Sequence, residues 1–215
     1  PWNVRRRMAE RVQIPDRISV KVRTHFSQET ALNPDDNLPL FVTHVDPNAL
    51  GGGIGTFESP FRALESARVP NDPNPANVDI VRIIPRSDGT GTNLAMLGPF
   101  VLHDSQRVLG TSFEHTFDAT RGTFSLPGYT GEGPGPLIMN LANTDSFDQG
   151  VFRLASMNEI SGLRIDGFNG DVDAPDFGFG IMTPAGIAIT DFDINRNEFT
   201  RYHTAIRLTD ATGTG

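Results

Sequence analysis

The stretch that decides the fold is residues 150–210, which contain three blocks of related pattern: GVFRLASMNEISGLRI (150–165), FGIMTPAGIAITDFDI (179–194) and NRNEFTRYHTAIRLTD (195–210). Shifting the first block by 29 residues superimposes four pairs of apolar residues, namely Phe152 on Ile181, Ile160 on Ile189, Leu163 on Phe192 and Ile165 on Ile194. A repeat of this length indicates a solenoid. Apolar and polar residues also alternate inside each block, as expected for short strands with one buried face. Together these patterns predict a parallel β-solenoid.

The repeat is uneven and stops abruptly. The interval from Ile181 to Ile206 is roughly 25 residues, and we attribute the longer first interval to an insertion at residues 168–179. The last block is followed only by ATGTG at residues 211–215, without a capping helix or a polar final strand. Because an open apolar end is unfavourable in a solenoid, we expect the natural protein to continue beyond this point.

Composition supports an all-β chain and excludes several kinds of chemistry. The 215 residues include 22 Gly and 16 Pro, and 37% are hydrophobic, which favours a turn-rich β fold over a helical one. No run approaches the ~18 apolar residues of a transmembrane helix. The absence of cysteine excludes disulfides, thiol nucleophiles and cysteine-ligated zinc.

Charge is distributed unevenly along the chain. The net charge is −8, yet residues 1–25 alone carry +5, which leaves −13 on the remainder. An acidic body argues against nucleic acid as a partner. The arginines at residues 5–7 are interpreted as part of a solvated linker.

The N-terminal segment and the body are predicted to be separate regions. Residues 1–38 are expected to form a linker with one strand at residues 17–24, which would be the end of an upstream domain. Residues 39–215 are expected to form a parallel β-helix that is truncated at its C-terminus. Its first strand is predicted at residues 41–45.

A short helix is predicted at residues 61–68. It follows the glycine-rich run at residues 51–55, which lacks the lysine of a phosphate-binding loop. Ser59 is the expected N-cap and Pro60 the expected first helical residue. The apolar face of this helix consists of Phe61, Leu64 and Ala67. We expect the helix to cap the open N-terminal end of the solenoid.

Strands and long loops alternate over the rest of the body. Further strands are predicted at residues 78–84, 99–102, 106–110 and 137–141. The segment 78–84 is expected to be the first strand of the repeating structure. Long loops in compact folds are commonly functional, so residues 116–135 are the predicted binding surface, with residues 168–179 as a second loop.

Several phrases together resemble one family of proteins: FVTHVDPNALGGGIGTFESPFRALESA (41–67), LHDSQRVLG (102–110) and LASMNEISGLRI (154–165). The chain resembles the right-handed parallel β-helix, pectin-lyase-like passenger of large surface proteins from planctomycete-like and cyanobacterial bacteria. Many of those proteins begin with an inverse-autotransporter-type β-barrel. The resemblance covers roughly residues 38–210. It implies display at the bacterial cell surface or secretion. It does not imply any particular catalysed reaction.

Parallel β-helices also include polysaccharide lyases and glycoside hydrolases. Asn-Thr-Asp at residues 143–145 matches one short motif of polygalacturonase-like enzymes. Their Asp-Asp pair has its only counterpart at residues 35–36, upstream of the helix, and their Gly-His-Gly is absent. A hydrolytic mechanism would require two carboxylates close together on one exposed sheet face.

A calcium site is a further hypothesis. The candidate ligands are Asp166, Asp171, Asp173 and Asp176. Closely spaced carboxylates suit calcium, and turn hydrogen bonds made by the same side chains are the alternative. No catalytic, cofactor-binding or metal-binding residue is assigned from the sequence.

The histidines and asparagines are interpreted as structural. The five histidines, none with the spacing of a zinc site, are His25, His44, His103, His115 and His203. The asparagines Asn158, Asn195 and Asn197 lie at predicted strand ends, where their side chains are expected to bond backbone groups in neighbouring turns.

Three functions stay open at this point. The first is a non-catalytic, extracellular structural or adhesin-like protein that presents loops to glycans. The second is a polysaccharide lyase or glycoside hydrolase acting along a sheet groove, and the third is a component that self-associates into filaments or a surface layer. An acidic body suits an anionic polysaccharide poorly unless calcium bridges the two, which favours the first.

Overall fold

A computed structural model of the chain describes residues 31–32, 38–68, 78–86, 94–96, 98–119, 122–126, 131, 133–140, 150–167, 179–202, 204–209 and 211–214. These residues are mostly β-strand, and the α-helix among them is five residues long. All pairings within the three larger sheets are parallel. The chain is therefore a mainly β protein with parallel sheets. The strand predicted at residues 17–24 lies outside the described residues.

The described part of the chain contains sixteen strands and one helix. In chain order they are β1 (Val42–Val45), α1 (Leu64–Arg68), β2 (Ile80–Ile83), β3 (Leu94–Met96), β4 (Phe100–Val101), β5 (Arg107–Gly110), β6 (Thr116–Ala119), β7 (Gly122–Ser125), β8 (Leu137–Asn140), β9 (Gly150–Arg153), β10 (Glu159–Ser161), β11 (Arg164–Asp166), β12 (Phe179–Met182), β13 (Ile189–Asn195), β14 (Glu198–Thr200), β15 (Thr204–Arg207) and β16 (Ala211–Thr214). The strands predicted at residues 78–84, 99–102, 106–110 and 137–141 are present as β2, β4, β5 and β8.

Three parallel sheets receive their strands in a fixed order. Sheet A is ordered β1-β2-β5-β10-β13-β16, sheet B is ordered β14-β11-β8-β3, and sheet C is ordered β15-β12-β9-β4. From β8 to β16 the chain passes through sheet B, then sheet C, then sheet A, and repeats that order. Neighbouring strands of one sheet therefore come from successive passages of the chain.

The core is lined by in-register rows of apolar side chains. In sheet A, Val81 pairs with Val108, Val108 with Ile160, and Ile160 with Ile194. All four are buried in the main apolar cluster. Because side chains alternate along a strand, the flanking residues of the same strands point to the outer face of the sheet. The core row thus fixes which residues sheet A displays.

The predicted repeat interval is correct in sheet C. Phe152 pairs with Ile181, as the 29-residue shift predicts, and Ile181 pairs with Ile206. Phe152 also packs edge-to-face on Phe100 of the preceding strand, with 6.1 Å between the ring centroids. Such an aromatic pair stabilises the core beyond the apolar area that it buries.

The same shift is wrong in sheets A and B. Ile160 pairs with Ile194 and not with Ile189, and Ile165 pairs with Phe199 and not with Ile194. The separation between facing residues is 34 there, as between Ser161 and Asn195. Five additional residues lie between Met182 and Asp193. One belongs to the turn at residues 183–188, which has six residues against five at residues 154–158, and the other four are residues 189–192 at the start of β13. The insertion predicted at residues 168–179 lies almost wholly outside the described residues.

Sheet A extends one strand further toward the N-terminus than the sequence predicts. β1 pairs in parallel with β2 from Val42↔Ile80 to Val45↔Ile83. Val45 is buried in the same apolar cluster as the core row. The segment 78–84 is therefore not the first strand of the repeating sheet, because β1 already occupies its edge.

The helix is shorter than predicted, but its apolar face is as expected. It begins at Leu64, while Phe61 forms a parallel bridge with Val45 and so keeps extended backbone. Ser59 and Pro60 therefore precede a bridge and not the helix. Leu64 and Ala67 are buried with Phe61 in the main cluster. The pairing to β1 outweighs the helix-start signal in the sequence.

The predicted binding loop at residues 116–135 contains an antiparallel hairpin. β6 pairs with β7 from Thr116↔Ser125 to Ala119↔Gly122. Phe117 and Leu126 pack with Ile80 and Leu109 of sheet A in a second apolar cluster. The hairpin therefore covers part of the outer face of sheet A. Most of its other described residues are exposed, so the binding role predicted for this segment stays a prediction.

We predict that Phe152→Ala lowers the free energy of unfolding by about 3–5 kcal/mol, because the side chain is fully buried and its loss leaves a cavity. Ile187→Ala is the matched control, since Ile187 is 57% exposed, and it should change stability by less than about 0.5 kcal/mol. Urea denaturation measures both. Equal effects of the two substitutions would contradict the core position of Phe152.

Candidate functional site

The outer face of sheet A carries a row of charged side chains beside the hairpin. Arg107 pairs in register with Glu159, and Glu159 pairs with Asp193. Ser161 and Asn195 form the next outward pair on the same two strands. Parallel strands lie about 4.8 Å apart, so one extended ligand can contact several of these side chains. We refer to these five residues as the polar strip.

Arg107 joins the polar strip to the hairpin. Its Nη1 lies 3.6 Å from Oε2 of Glu159. Its guanidinium also lies over the ring of Phe117, 4.7 Å from the ring centroid. A cation over an aromatic face is attracted by the ring quadrupole. The hairpin therefore forms one wall of the strip and holds the arginine beside the carboxyl group.

Glu159 is the acid of the strip with a perturbed proton affinity. Burial is the main cause that raises the pKa of Glu159 above its ordinary value, and the nearby Asp193 carboxylate raises it further. Arg107 and Arg196 act in the opposite direction. Loss of hydration disfavours the charged form of a carboxyl group, which explains the net direction.

Hydrogen bonds hold the other end of the strip in place. Ser161 donates through Oγ to Oδ1 of Asn195 at 2.7 Å. Asn195 donates through Nδ2 to Oδ2 of Asp193 at 2.8 Å. Beside them, the Arg196 guanidinium lies 5.3 Å from the ring centroid of Phe113. The strip thus ends in a second cation and aromatic pair.

The strip combines hydrogen-bonding groups with a possible acid and base. Its amide, carboxyl and guanidinium groups match the hydroxyl groups of a sugar as donors and acceptors, while the buried Ser161 hydroxyl positions Asn195. A carboxyl group with a raised pKa next to a carboxylate is also an arrangement used for acid and base roles. Both properties follow from the register of three strands, since Arg107, Glu159 and Asp193 are distant in the sequence.

One of the four predicted calcium ligands is described, and it is engaged elsewhere. Asp166 is buried and accepts hydrogen bonds from Arg201, with Nε of Arg201 at 2.7 Å from Oδ1 and Nη2 bonded to Oδ2. Asp171, Asp173 and Asp176 lie outside the described residues. Among the residues that the structure places, no three His, Asp or Glu side chains converge on a metal-sized site.

Three of the five histidines are described, and none belongs to the polar strip. His44 and His115 are buried, and the ring of His115 bonds the carbonyl oxygen of Gly110 through Nε2 at 2.8 Å. Burial lowers the pKa of both, and the Arg82 charge lowers them further. His103 is exposed. His25 and His203 lie outside the described residues.

Two of the three asparagines make the backbone contacts that the sequence predicts. Asn158 donates to the carbonyl oxygens of His103 at 2.6 Å and Gln106 at 3.0 Å. Asn197 donates to the carbonyl oxygen of Ile160 at 2.7 Å and accepts from the backbone N–H of Leu163. Each of these side chains therefore joins two successive passages of the chain.

Asn195 differs from the other two asparagines, because its side chain bonds Ser161 and Asp193 on the outer face of sheet A. Asn158 precedes β10 while Asn195 and Asn197 lie at the end of β13 and after it. The three side chains therefore do not occupy equivalent positions.

The polygalacturonase-like fragments at residues 143–145 and 35–36 lie outside the described residues. Arg207 lies over the ring of Phe179 in sheet C, 5.1 Å from the ring centroid. The residues that do form a carboxylate pair, Glu159 and Asp193, are not part of any motif in the sequence.

A separate open cavity of about 440 Å³ lies beside the glycine-rich run. It is lined by Pro47, Asn48, Ala49, Leu50, Gly51, Arg62 and Arg86. No member of the polar strip contributes to it. The glycine run itself forms a loop in which Gly55 accepts the backbone N–H of His44 at 2.8 Å, so its role next to β1 is structural.

Comparison of the chain with protein-family models, with curated proteins and with solved structures found no match. None of the helical segments that the structure describes has the length and apolar character needed to cross a membrane.

We predict that the Glu159 carboxyl group titrates above its ordinary pKa of 4.5, because it is partly buried next to Asp193. A carbon-detected NMR titration of the glutamate side chains measures the midpoint directly. A midpoint for Glu159 at or below 4.5 would contradict the prediction.

The raised pKa of Glu159 also determines the direction in which its contribution to stability changes with pH. A raised pKa means that the folded state binds this proton more tightly than the unfolded state, so the contribution of Glu159 falls as pH rises through its ordinary pKa and then through its raised pKa. Glu159→Gln removes this dependence. The Tm of the variant relative to the wild type should therefore increase between about pH 4 and about pH 7. A relative Tm that decreases over this range would refute the assignment.

Proposed function

We propose that the chain is a right-handed parallel β-helix from an extracellular or surface-displayed bacterial protein, and that its polar strip binds a neutral glycan without transforming it. The cyclic order of sheets B, C and A supports the β-helix part of this proposal. Crossover connections between parallel strands are right-handed in nearly all proteins, which supports the handedness. The resemblance of residues 41–67, 102–110 and 154–165 to surface proteins supports the location.

The polar strip carries the functional part of the proposal. Sheet A is a rigid parallel sheet, and the register sets Arg107, Glu159 and Asp193 on adjacent strands. The interstrand distance of about 4.8 Å is close to the length of one sugar unit, so successive units of a glycan chain can meet successive strands. Phe113 and Phe117 flank the strip and hold its arginines in place, since the guanidinium groups of Arg196 and Arg107 lie over their rings.

The charges of the strip favour a neutral ligand. Two arginines, Arg107 and Arg196, lie with two carboxyl groups, Glu159 and Asp193, in the same small area. The opposite signs largely cancel there, and the rest of the chain is acidic, with a net charge of −8. An anionic polysaccharide would be repelled by the body of the protein. A neutral polysaccharide meets donors and acceptors without that repulsion.

We expect laminarin, xylan or galactomannan to retard the chain in native gel electrophoresis when the polysaccharide is cast into the gel. Asp193→Ala should weaken binding to the retarding polysaccharide by about tenfold or more, because a hydrogen bond to a charged group is worth roughly 1.5–3 kcal/mol. Polygalacturonate serves as the anionic comparison and should cause no retardation.

Glu198→Ala is the matched control, since it removes an exposed acid from sheet B and leaves sheet A unchanged. It should bind like the wild type. Retardation that is unaffected by Asp193→Ala, or a lack of retardation by all three neutral polysaccharides, would refute the proposed binding face.

A glycoside hydrolase is the second candidate, and the pair formed by Glu159 and Asp193 favours it. Glu159 has a raised pKa, as a general acid requires, and Asp193 occupies the facing position on the next strand. In such a mechanism two carboxyl groups on opposite sides of the glycosidic bond donate and accept protons or act as nucleophile. A lyase has less support, because the described calcium candidate Asp166 bonds Arg201.

Reducing-end release distinguishes the two candidates. If the chain is a hydrolase, the polysaccharide that it binds should gain reducing ends, and Glu159→Gln should abolish this gain while retaining most of the binding. Glu198→Ala should keep full activity. Binding without any release of reducing ends would exclude the hydrolase and leave the binding function in place.

A further inference from the structure

Arg82 is a fully buried arginine on the outer face of sheet A. Its relative exposure is 0%. It lies on β2, in register with His44 on β1 and Leu109 on β5. It alternates with the inward Val81, so its side chain shares the outer face with that of Ile80. An outward arginine is normally solvated, so something must cover this one.

Two segments enclose this part of the face. On one side the hairpin packs Phe117 and Leu126 on Leu109, beside Arg82. On the other side the loop after β1 places the ring of Phe57 edge-on to His44, with 5.4 Å between the centroids. Water is thereby excluded from the guanidinium from both directions.

The guanidinium has no compensating partner among the described residues. Nε, Nη1 and Nη2 of Arg82 are all buried without a hydrogen bond, and Nδ1 of His44 is in the same condition. Burial lowers the pKa of Arg82 to about 10, so the group still carries its charge at neutral pH. A buried charge without a hydrogen-bonded partner is strongly unfavourable, and an unfilled ion site is one of its recognised causes.

The neighbouring titratable groups do not supply the missing negative charge. Burial and the Arg82 charge lower the pKa of His44 and of His115, which favours their neutral forms. Arg196 acts on His115 in the same direction. The Glu58 charge acts to raise the pKa of His44, but the Glu58 side chain is exposed to solvent. Among the described residues, the cluster therefore carries one net positive charge on a guanidinium that is buried from bulk solvent.

We propose that Arg82 binds a small monovalent anion of the chloride class, enclosed between the hairpin and the loop at residues 53–59, with His44 Nδ1–H as a second donor. This inference does not depend on the glycan-binding proposal. A monoanion neutralises the guanidinium, whereas a dianion such as sulfate would leave one negative charge buried. The five N–H donors of arginine and the histidine N–H provide a suitable donor set.

Anion-dependent stability tests the proposal on the intact chain. We expect sodium chloride to raise the Tm relative to sodium gluconate at equal ionic strength. The gain should increase with the logarithm of the chloride concentration above the Kd and amount to roughly 3–5 °C at a tenfold excess over the Kd. Sodium bromide should act like chloride. A Tm that is the same in chloride and gluconate would overturn the proposal.

Arg82→Met removes the charge and keeps a side chain of similar length, so the chloride-specific gain in Tm should disappear. Arg62→Met is the matched control, because Arg62 is an exposed arginine, and it should keep the full gain. A chloride-specific gain that survives in Arg82→Met would contradict the site.

Bromide in crystals of the wild-type chain provides a test that does not require the variant to fold. An anomalous bromide peak within hydrogen-bonding distance of the Arg82 guanidinium supports the proposal. A guanidinium that contacts only water, or that is paired with a carboxylate of the chain, overturns it.

Discussion

In-register parallel pairing across sheet A is the constraint on which the rest of the molecule depends. It aligns Val81, Val108, Ile160 and Ile194 into one buried row. Since side chains alternate along a strand, the same register also determines which side chains face outward. A shift by one residue in any strand would bring a charged side chain such as Glu159 into the core. The chemistry of the outer face is therefore tied to the stability of the inner one.

The apolar pattern predicts the β character, most strand positions and the sheet C register of Phe152 with Ile181. These predictions follow from the alternation of apolar and polar residues within each strand and from one constant spacing between apolar residues. The pattern does not reveal the five additional residues between Met182 and Asp193, because Ile189 and Ile194 are both buried core residues and either can be matched to Ile160. Ile160 faces Ile194, which the 29-residue shift misplaces. The pairing of Glu159 with Asp193 depends on these residues, so the polar strip could not be predicted from the sequence.

The hairpin links the two polar regions of sheet A. Its Phe117 contacts the Arg107 guanidinium at the edge of the polar strip and also packs in the cluster that covers the sheet beside Arg82. The same hairpin therefore leaves two arginines on adjacent strands in different environments. Arg107 stays accessible to a ligand, and Arg82 is buried away from water. Burial under the hairpin therefore determines the electrostatic role of each arginine more than the neighbouring sequence does.

The turn at residues 183–188 is one residue longer than the corresponding turn at residues 154–158, and strands on both sides of it stay paired. Gly186 adopts a positive φ of 71° with open space around it, and the neighbouring Ile187 is exposed. Surface turns of this kind tolerate insertion and exchange of sequence. The scaffold can therefore accept a grafted peptide epitope at this corner, displayed at a fixed distance from the outer face of sheet A, while the paired strands keep their alignment.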